Sequence, residues 1–134
     1  MLTVVAALIV RDNKLLVCQR RRDDSYGLQW EFPGGKVEPR ETPAQALVRE
    51  IREELDVDAS VGTEIYRTTH RYRDTQTELE LIFFQARIPD DAMPRNLAFE
   101  AFEWSSISAL PQYDFLQADK ELIGFLVVGW IRLE

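Results

Sequence analysis

The chain has 134 residues, 46% apolar and 29% charged, which is enough for one domain spanning 1–134 with a core of its own. Sixteen basic against twenty-three acidic residues leave a net charge of −7, which argues against a protein that wraps nucleic acid. Cys18 is the only cysteine, so no intrachain disulfide forms and a small apolar core role is expected for it. Residues 1–10 lack the basic lead of a signal peptide, and the apolar run 122–131 is about half the ~20 residues of a membrane span. A cytoplasmic protein without a membrane segment is the expectation.

Residues 2–10 and 15–19 read as strands joined by a turn at Arg11-Asp12-Asn13-Lys14. Val4, Val5, Leu8, Ile9 and Val10 run almost unbroken, as in a strand covered on both faces. Arg20, Arg21 and Arg22 follow. Such a cluster is either a solvated strand end or a contact for a polyphosphate, which the planar guanidinium fork suits. The run Trp30-Glu31-Phe32-Pro33-Gly34-Gly35 then leads to a helix, its two glycines able to bring backbone close to a ligand.

Thr42 caps that helix and Pro43 takes its first position, where the missing N–H has no partner to lose. Ala44, Ala46, Leu47, Val48 and Ile51 supply helix formers and an apolar stripe. Glu50, Glu53 and Glu54 stand at i, i+3 and i+4, so three carboxylates share one face. Like charges at that spacing repel unless something positive sits among them. All-oxygen ligation suits Mg²⁺, with Mn²⁺ as the alternative; a merely solvated acidic face is the competing reading.

Beyond the helix, residues 59–69 and 78–87 read as paired strands around Arg71-Tyr72-Arg73-Asp74-Thr75. Leu79, Leu81 and Phe83 alternate with Glu80, Ile82 and Phe84, so the second of them begins amphipathic and ends buried. His70, the single histidine, has no second His or Cys with which to build a zinc site. Residues 88–96 form a loop, 97–104 a short strand, and 105–110 a short capped helix halted by Pro111. A final helix over about 118–131 would bury Leu122, Ile123, Leu126, Val127 and Trp130. The expected class is α+β, a mixed β-sheet sandwiched between helices.

The flanking residues sharpen this. Gly35, five residues, Glu41, seven residues, then Arg49-Glu50-Ile51-Arg52-Glu53-Glu54-Leu55-Asp56-Val57 resembles the Nudix box, here residues 35–57. One defined position departs: Asp56 stands where the family has glycine, at a helix end where a left-handed residue is useful and Asp is tolerated. The resemblance implies the Nudix fold and Mg²⁺-dependent cleavage of a nucleoside diphosphate derivative by water. It implies metal ligation by Glu50, Glu53, Glu54 and the Gly34 carbonyl, with an acid outside the box. Glu100 is the candidate for that acid and Glu103 its rival; either Glu50 or the outside acid serves as general base. Glu41 and Arg49 are implied to brace the loop against the helix.

The wider likeness is to the MutT-like branch, which hydrolyses nucleoside triphosphates to a monophosphate and pyrophosphate. By that likeness Asp119 reads the base and Phe32 lines the base pocket, although Asp119 is equally explained as an acid near a helix N-terminus. Arg20, Arg21 and Lys36 are the candidate substrate cations. An oxidised substrate such as 8-oxo-dGTP, or a cytidine nucleotide, is expected, acted on by a monomer or homodimer. A nucleotide sugar or dinucleotide substrate, or an idle nucleotide-sensing module, are the alternatives.

Overall fold

The first strand is apolar from Val4 to Val10 because it lies between two helical layers. The computed structural model describes residues 1–71 and 77–134. Strand β1 (Leu2–Arg11) sends Val5, Ala7 and Ile9 to one face and Ala6 and Leu8 to the other. The first face packs on helix α1 (Pro43–Leu55) through Ala46, Leu47, Ile51 and Leu55. The second packs on helix α2 (Lys120–Val128) through Leu122, Ile123 and Leu126. Strand β2 (Lys14–Gln19) divides the same way, Leu16 and Cys18 toward α1, Leu15 and Val17 toward α2. This is the expected mixed sheet between helices.

Asp12 and Asn13, both at positive φ, make the β1–β2 turn, the conformation that two-residue hairpins favour. The hairpin then splays. Only Val10 and Arg11 of β1 pair with Leu15 and Lys14. From there β2 pairs along its length with β7 (Ala101–Ser106) and at its end with β3 (Trp30–Glu31). The edge of β1 so vacated is taken by β4 (Gly34–Lys36), antiparallel, with Ala6 opposite Gly34. Its other edge carries β6 (Glu78–Arg87) in parallel, and β6 in turn pairs with β5 (Ser60–Arg71). Three strands thus pair with β1, and the Gly-Gly turn lies beside it within the sheet. A Cβ on Gly34 would stand 1.9 Å from the Val5 carbonyl oxygen, so glycine is required there.

Helix α1 opens as its sequence directs. The Thr42 hydroxyl accepts from the Gln45 N–H while the Gln45 side chain accepts from the Thr42 N–H, a reciprocal capping box. Val48 falls off the apolar stripe and is exposed. The helix ends with Asp56 in the left-handed conformation, φ 54° and ψ 42°. Asp56→Gly should therefore stabilise the fold by up to about 1 kcal/mol in a denaturation midpoint measurement. The lost Asp56–Arg95 pair lies on the surface and offsets little of this.

Three expectations in the C-terminal third are corrected. Residues 97–100 are not strand: the Leu97 N–H caps the Glu54 carbonyl and the Glu100 N–H reaches the Gln19 carbonyl, so β7 starts at Ala101. Ser105 and Ser106 belong to β7, opposite Leu15 and Lys14; the helical turn that follows is a 3-10 segment, Ile107–Gln112, which carries Pro111 inside it. The last helix is shorter than expected. A 3-10 turn, Gln117–Asp119, precedes it, and Gly129 in the left-handed conformation ends it. Trp130 consequently lies outside the helix, 79% exposed and stacked on Phe125, and Val127 is exposed as well. The turn expected around Arg71-Tyr72-Arg73-Asp74-Thr75 falls largely on 72–76, outside the described residues. Among the described residues no helix is long and apolar enough to cross a membrane.

Candidate active site

Helix α1 and the Gly-Gly turn meet through their carboxylates. Glu54 Oε1 accepts from the Gly34 N–H at 3.1 Å. The Glu50 carboxylate presses on Gly35, where a Cβ would come within 2.4 Å of its carboxyl carbon. Gly35 is thus the space that Glu50 occupies. Glu53, one turn along, remains exposed.

Arg49 ties the loop to this helix. Its Nε donates to Glu41 Oε2 at 2.7 Å and its Nη2 to Glu41 Oε1 at 2.9 Å, a two-point fork. Nη2 also reaches the Lys36 carbonyl at 3.0 Å, and Nη1 donates to Glu50 at 3.0 Å. One guanidinium therefore holds the end of β4, the loop before α1 and, with a longer 3.4 Å contact to Glu53, two carboxylates of the helix. Arg49→Lys keeps the charge and loses the fork, so it should lower turnover with little change in the far-ultraviolet circular dichroism. Wild-type turnover and melting temperature in that variant would overturn the fork's importance.

The Arg49 fork, with the Glu38 N–H, holds the Glu41 carboxyl down at about 2. A depressed carboxylate stabilises the fold above its unfolded value near 4.5, and the gain is lost as pH falls toward 2. Arg49→Ala should flatten the acid limb of a stability–pH curve in that window.

The carboxylates lack a counter-charge of comparable size. Burial, then the charges of Glu50 and Glu31, push Glu54 up to about 9 against the opposing Gly34 N–H. Glu50 is raised by burial and only partly held by Arg49. Among the described residues no three acidic, His or Cys side chains are gathered into a preformed cation cage. The donor set still fits a hard divalent cation, because it is all carboxylate oxygen and mutually repelling.

Of the three α1 carboxylates, Glu54 opens onto a cavity of about 590 Å³, while Glu50 and Glu53 stand outside its lining. Glu54, Gly34, Gly35 and Lys36 line it, as do Arg20, Asp24, Ser25 and Tyr26 of the 20–29 loop and the apolar Phe32, Leu81 and Leu116. Asp119 lines it too, itself 4% exposed, and burial together with the Glu31 charge pushes its carboxyl well above the usual range. It lies at the start of α2 but makes no side-chain cap to that helix. Phe32 is chiefly core, 3% exposed against Phe83 and Phe115.

Arg20 lines the cavity but is already engaged. It donates to the Ser25 carbonyl at 2.7 Å and to Glu31 at 3.1 Å, and pairs with Asp24 at 3.2 Å. Arg21 points elsewhere, to the Leu97 carbonyl. Glu100 is exposed, accepts from the Arg22 N–H and does not line the cavity; Glu103 accepts from the Tyr113 hydroxyl on β7. Besides Asp24 and Asp119, the acid outside the box that lines the cavity is Glu31, which sequence reasoning passed over. Its charge acts on both Glu54 and Asp119. The signal was present in the alternation Trp30-Glu31-Phe32, which turns the acid away from the face its aromatic neighbours bury.

Comparison with known proteins accords with this geometry. The NUDIX domain model matches residues 1–124. A protein named CTP pyrophosphohydrolase from Escherichia coli K12 is 41% identical over 126 residues, 92% of this chain and 89% of that one. One named putative 8-oxo-dGTP diphosphatase 2 from Mycobacterium tuberculosis H37Rv is 46% identical over 131 residues, 96% and 84% of the two chains. Among solved structures, the MutT NUDIX hydrolase from Burkholderia pseudomallei superposes with a TM-score of 0.79 at 27% identity, covering 92% and 95%. The Escherichia coli ORF135 protein does so with 0.75 at 36% identity, covering 92% and 86%. A match over nearly the whole length, with relatives above 40% identity, establishes that the chain belongs to the NUDIX domain family.

Proposed function

We propose that this chain is a Mg²⁺-dependent hydrolase of nucleoside triphosphates that yields a monophosphate and pyrophosphate. One observation carries the reading: a single cavity is lined by Glu54 of α1 and by a buried acid, Asp119, whose side chain makes no cap to α2. The names of the two relatives, a CTP pyrophosphohydrolase and a putative 8-oxo-dGTP diphosphatase, support it.

Glu50, Glu53 and Glu54, with the Gly34 carbonyl, would hold the metal. When bound, it supplies charge neutralisation for the polyphosphate and a more acidic water. The protein's part is placement. Arg49 locks Glu50 and the loop, Gly34 fixes Glu54, and Lys36 offers a cation to the phosphate chain. Water attacks one phosphorus of the α–β bridge, its proton passing to a carboxylate base such as Glu50; the bridging P–O bond breaks and its oxygen keeps the electron pair, giving the monophosphate and pyrophosphate.

At the other end burial and the Glu31 charge favour the protonated carboxyl of Asp119, the form that both donates and accepts. That pair matches the N3 and N4–H edge of cytosine. It also matches the O6 and N7–H edge of 8-oxoguanine, whereas unoxidised guanine shows two acceptors on that edge. The test is Mg²⁺-dependent pyrophosphate release from CTP, dCTP, ATP, dGTP and 8-oxo-dGTP. Cytidine nucleotides and 8-oxo-dGTP should exceed dGTP in kcat/KM by roughly tenfold or more, the size of one buried hydrogen bond. Faster hydrolysis of nucleotide sugars or dinucleotides than of every triphosphate would overturn the assignment.

A further inference from the structure

The C-terminal end of α1 is closed by backbone from elsewhere. The Leu97 N–H donates to the Glu54 carbonyl at 3.0 Å and the Arg95 N–H to the Leu55 carbonyl at 2.8 Å. These two carbonyls belong to the last turn of a helix and have no partner within it. The segment that satisfies them is not part of any strand or helix, so something must hold its shape. Asn96 does. Its Nδ2 donates to the Phe99 carbonyl at 2.9 Å, and its Oδ1 accepts from the Phe99 N–H at 2.8 Å. Both polar atoms of one exposed side chain are spent on one backbone unit three residues on. The loop so closed presents Leu97 to Glu54 on one side, and Ala98 and Phe99 to the cavity on the other. Phe99 is itself buried against the α1 cluster, which anchors the loop from below.

We propose that Asn96 is a positioning residue for the hydrolysis: its side chain closes the 96–99 loop, which holds the backbone of Glu54 against the cavity wall. The inference rests on the reading of Glu54 as a metal ligand and adds how that ligand is aimed. Asn96 touches neither substrate nor metal. It acts through the Leu97 amide, as partners outside the ligand set of a metal site do, and their loss commonly weakens metal affinity about tenfold or more. The reciprocal holds as well: a metal on Glu54 should tighten the loop.

The test uses the full chain. Mn²⁺ affinity is read from the electron paramagnetic resonance of the free ion in wild type, Asn96→Ala, Asn96→Asp and Glu54→Gln. Asn96→Ala should bind Mn²⁺ about tenfold more weakly and turn over correspondingly slower with Mg²⁺. Asn96→Asp keeps the acceptor for the Phe99 N–H and loses the donor, so it should fall between. In wild type, saturation with Mg²⁺ should slow hydrogen exchange at the Leu97 and Phe99 amides. Wild-type Mn²⁺ affinity and kcat in Asn96→Ala would overturn the proposal, provided Glu54→Gln loses the metal. Wild-type Mn²⁺ affinity in Glu54→Gln would instead overturn the ligand assignment, and the inference with it. Should Asn96→Ala not fold, exchange in wild type decides: amides indifferent to Mg²⁺ overturn the proposal.

Discussion

Glu54→Gln should lower turnover by roughly a hundred- to a thousandfold, about 3–4 kcal/mol of transition-state stabilisation, and leave the fold intact. Glutamine has the shape of the glutamate, and its carbonyl can go on accepting from the Gly34 N–H at the same 3.1 Å. What it removes is the capacity to ionise onto a metal. Because burial and the charges of Glu50 and Glu31 already push Glu54 up to about 9, its metal-free carboxyl is largely neutral near pH 7, and the melting temperature of the isosteric amide should hold. Glu53→Gln should cost turnover similarly with no change in melting temperature, since that side chain is 58% exposed. Activity and thermal melting on the same samples check both. A variant equally damaged in both measurements would mark Glu54 as a fold residue, and a fully active one would remove it from the metal site.

How far such a site is legible in sequence depends on whether its contacts are local. The start of α1 is spelled out within four residues, because Thr42 and Gln45 satisfy each other and Pro43 needs no partner. Its end was legible too, with Asp56 taking the left-handed conformation that the family assigns to glycine. The β1 and β2 runs were readable because burial on both faces leaves no polar position to confuse the period. The last helix was not. Leu122 to Ile131 is apolar on every side, so periodicity cannot say which residues face the core, and Gly129 ends the helix before Trp130 joins it.

The acid outside the box shows the same limit. The resemblance points to Glu100, with Glu103 as its rival; neither lines the cavity, and Glu31 does. The choice turns on where β2 goes after its hairpin. By leaving β1 it takes β3 and β7 as its two partners. Glu31 then sits opposite Cys18 at the cavity, and Glu100 stops short of β7 against the 20–29 loop. A strand exchange of that kind is a long-range event. Nothing within ten residues of either acid records it.

Asp119→Ala should flatten the preference among nucleoside triphosphates, chiefly by weakening the preferred one, at a cost of roughly 1–3 kcal/mol for a buried hydrogen bond. The position is held from three sides: the Leu116 N–H donates to the Trp30 carbonyl, the Asp119 N–H to the Leu116 carbonyl, and Leu122 of α2 lies in the core. A truncated side chain there leaves the pocket's frame in place, so the loss should be confined to base choice. The phosphate end, held by metal and Lys36, should not respond. Asp119→Asn separates the two properties of a protonated acid. The amide still donates and accepts, but its donor is permanent, whereas that of Asp119 is withdrawn once pH rises through its elevated value. Wild type should therefore lose kcat/KM for its preferred nucleotide more steeply than Asp119→Asn as pH rises. The measurement is kcat/KM against pH for CTP, dGTP and 8-oxo-dGTP in all three proteins. An unchanged ranking in both variants would place base recognition elsewhere in the cavity, and Glu31 would be the first residue to substitute next.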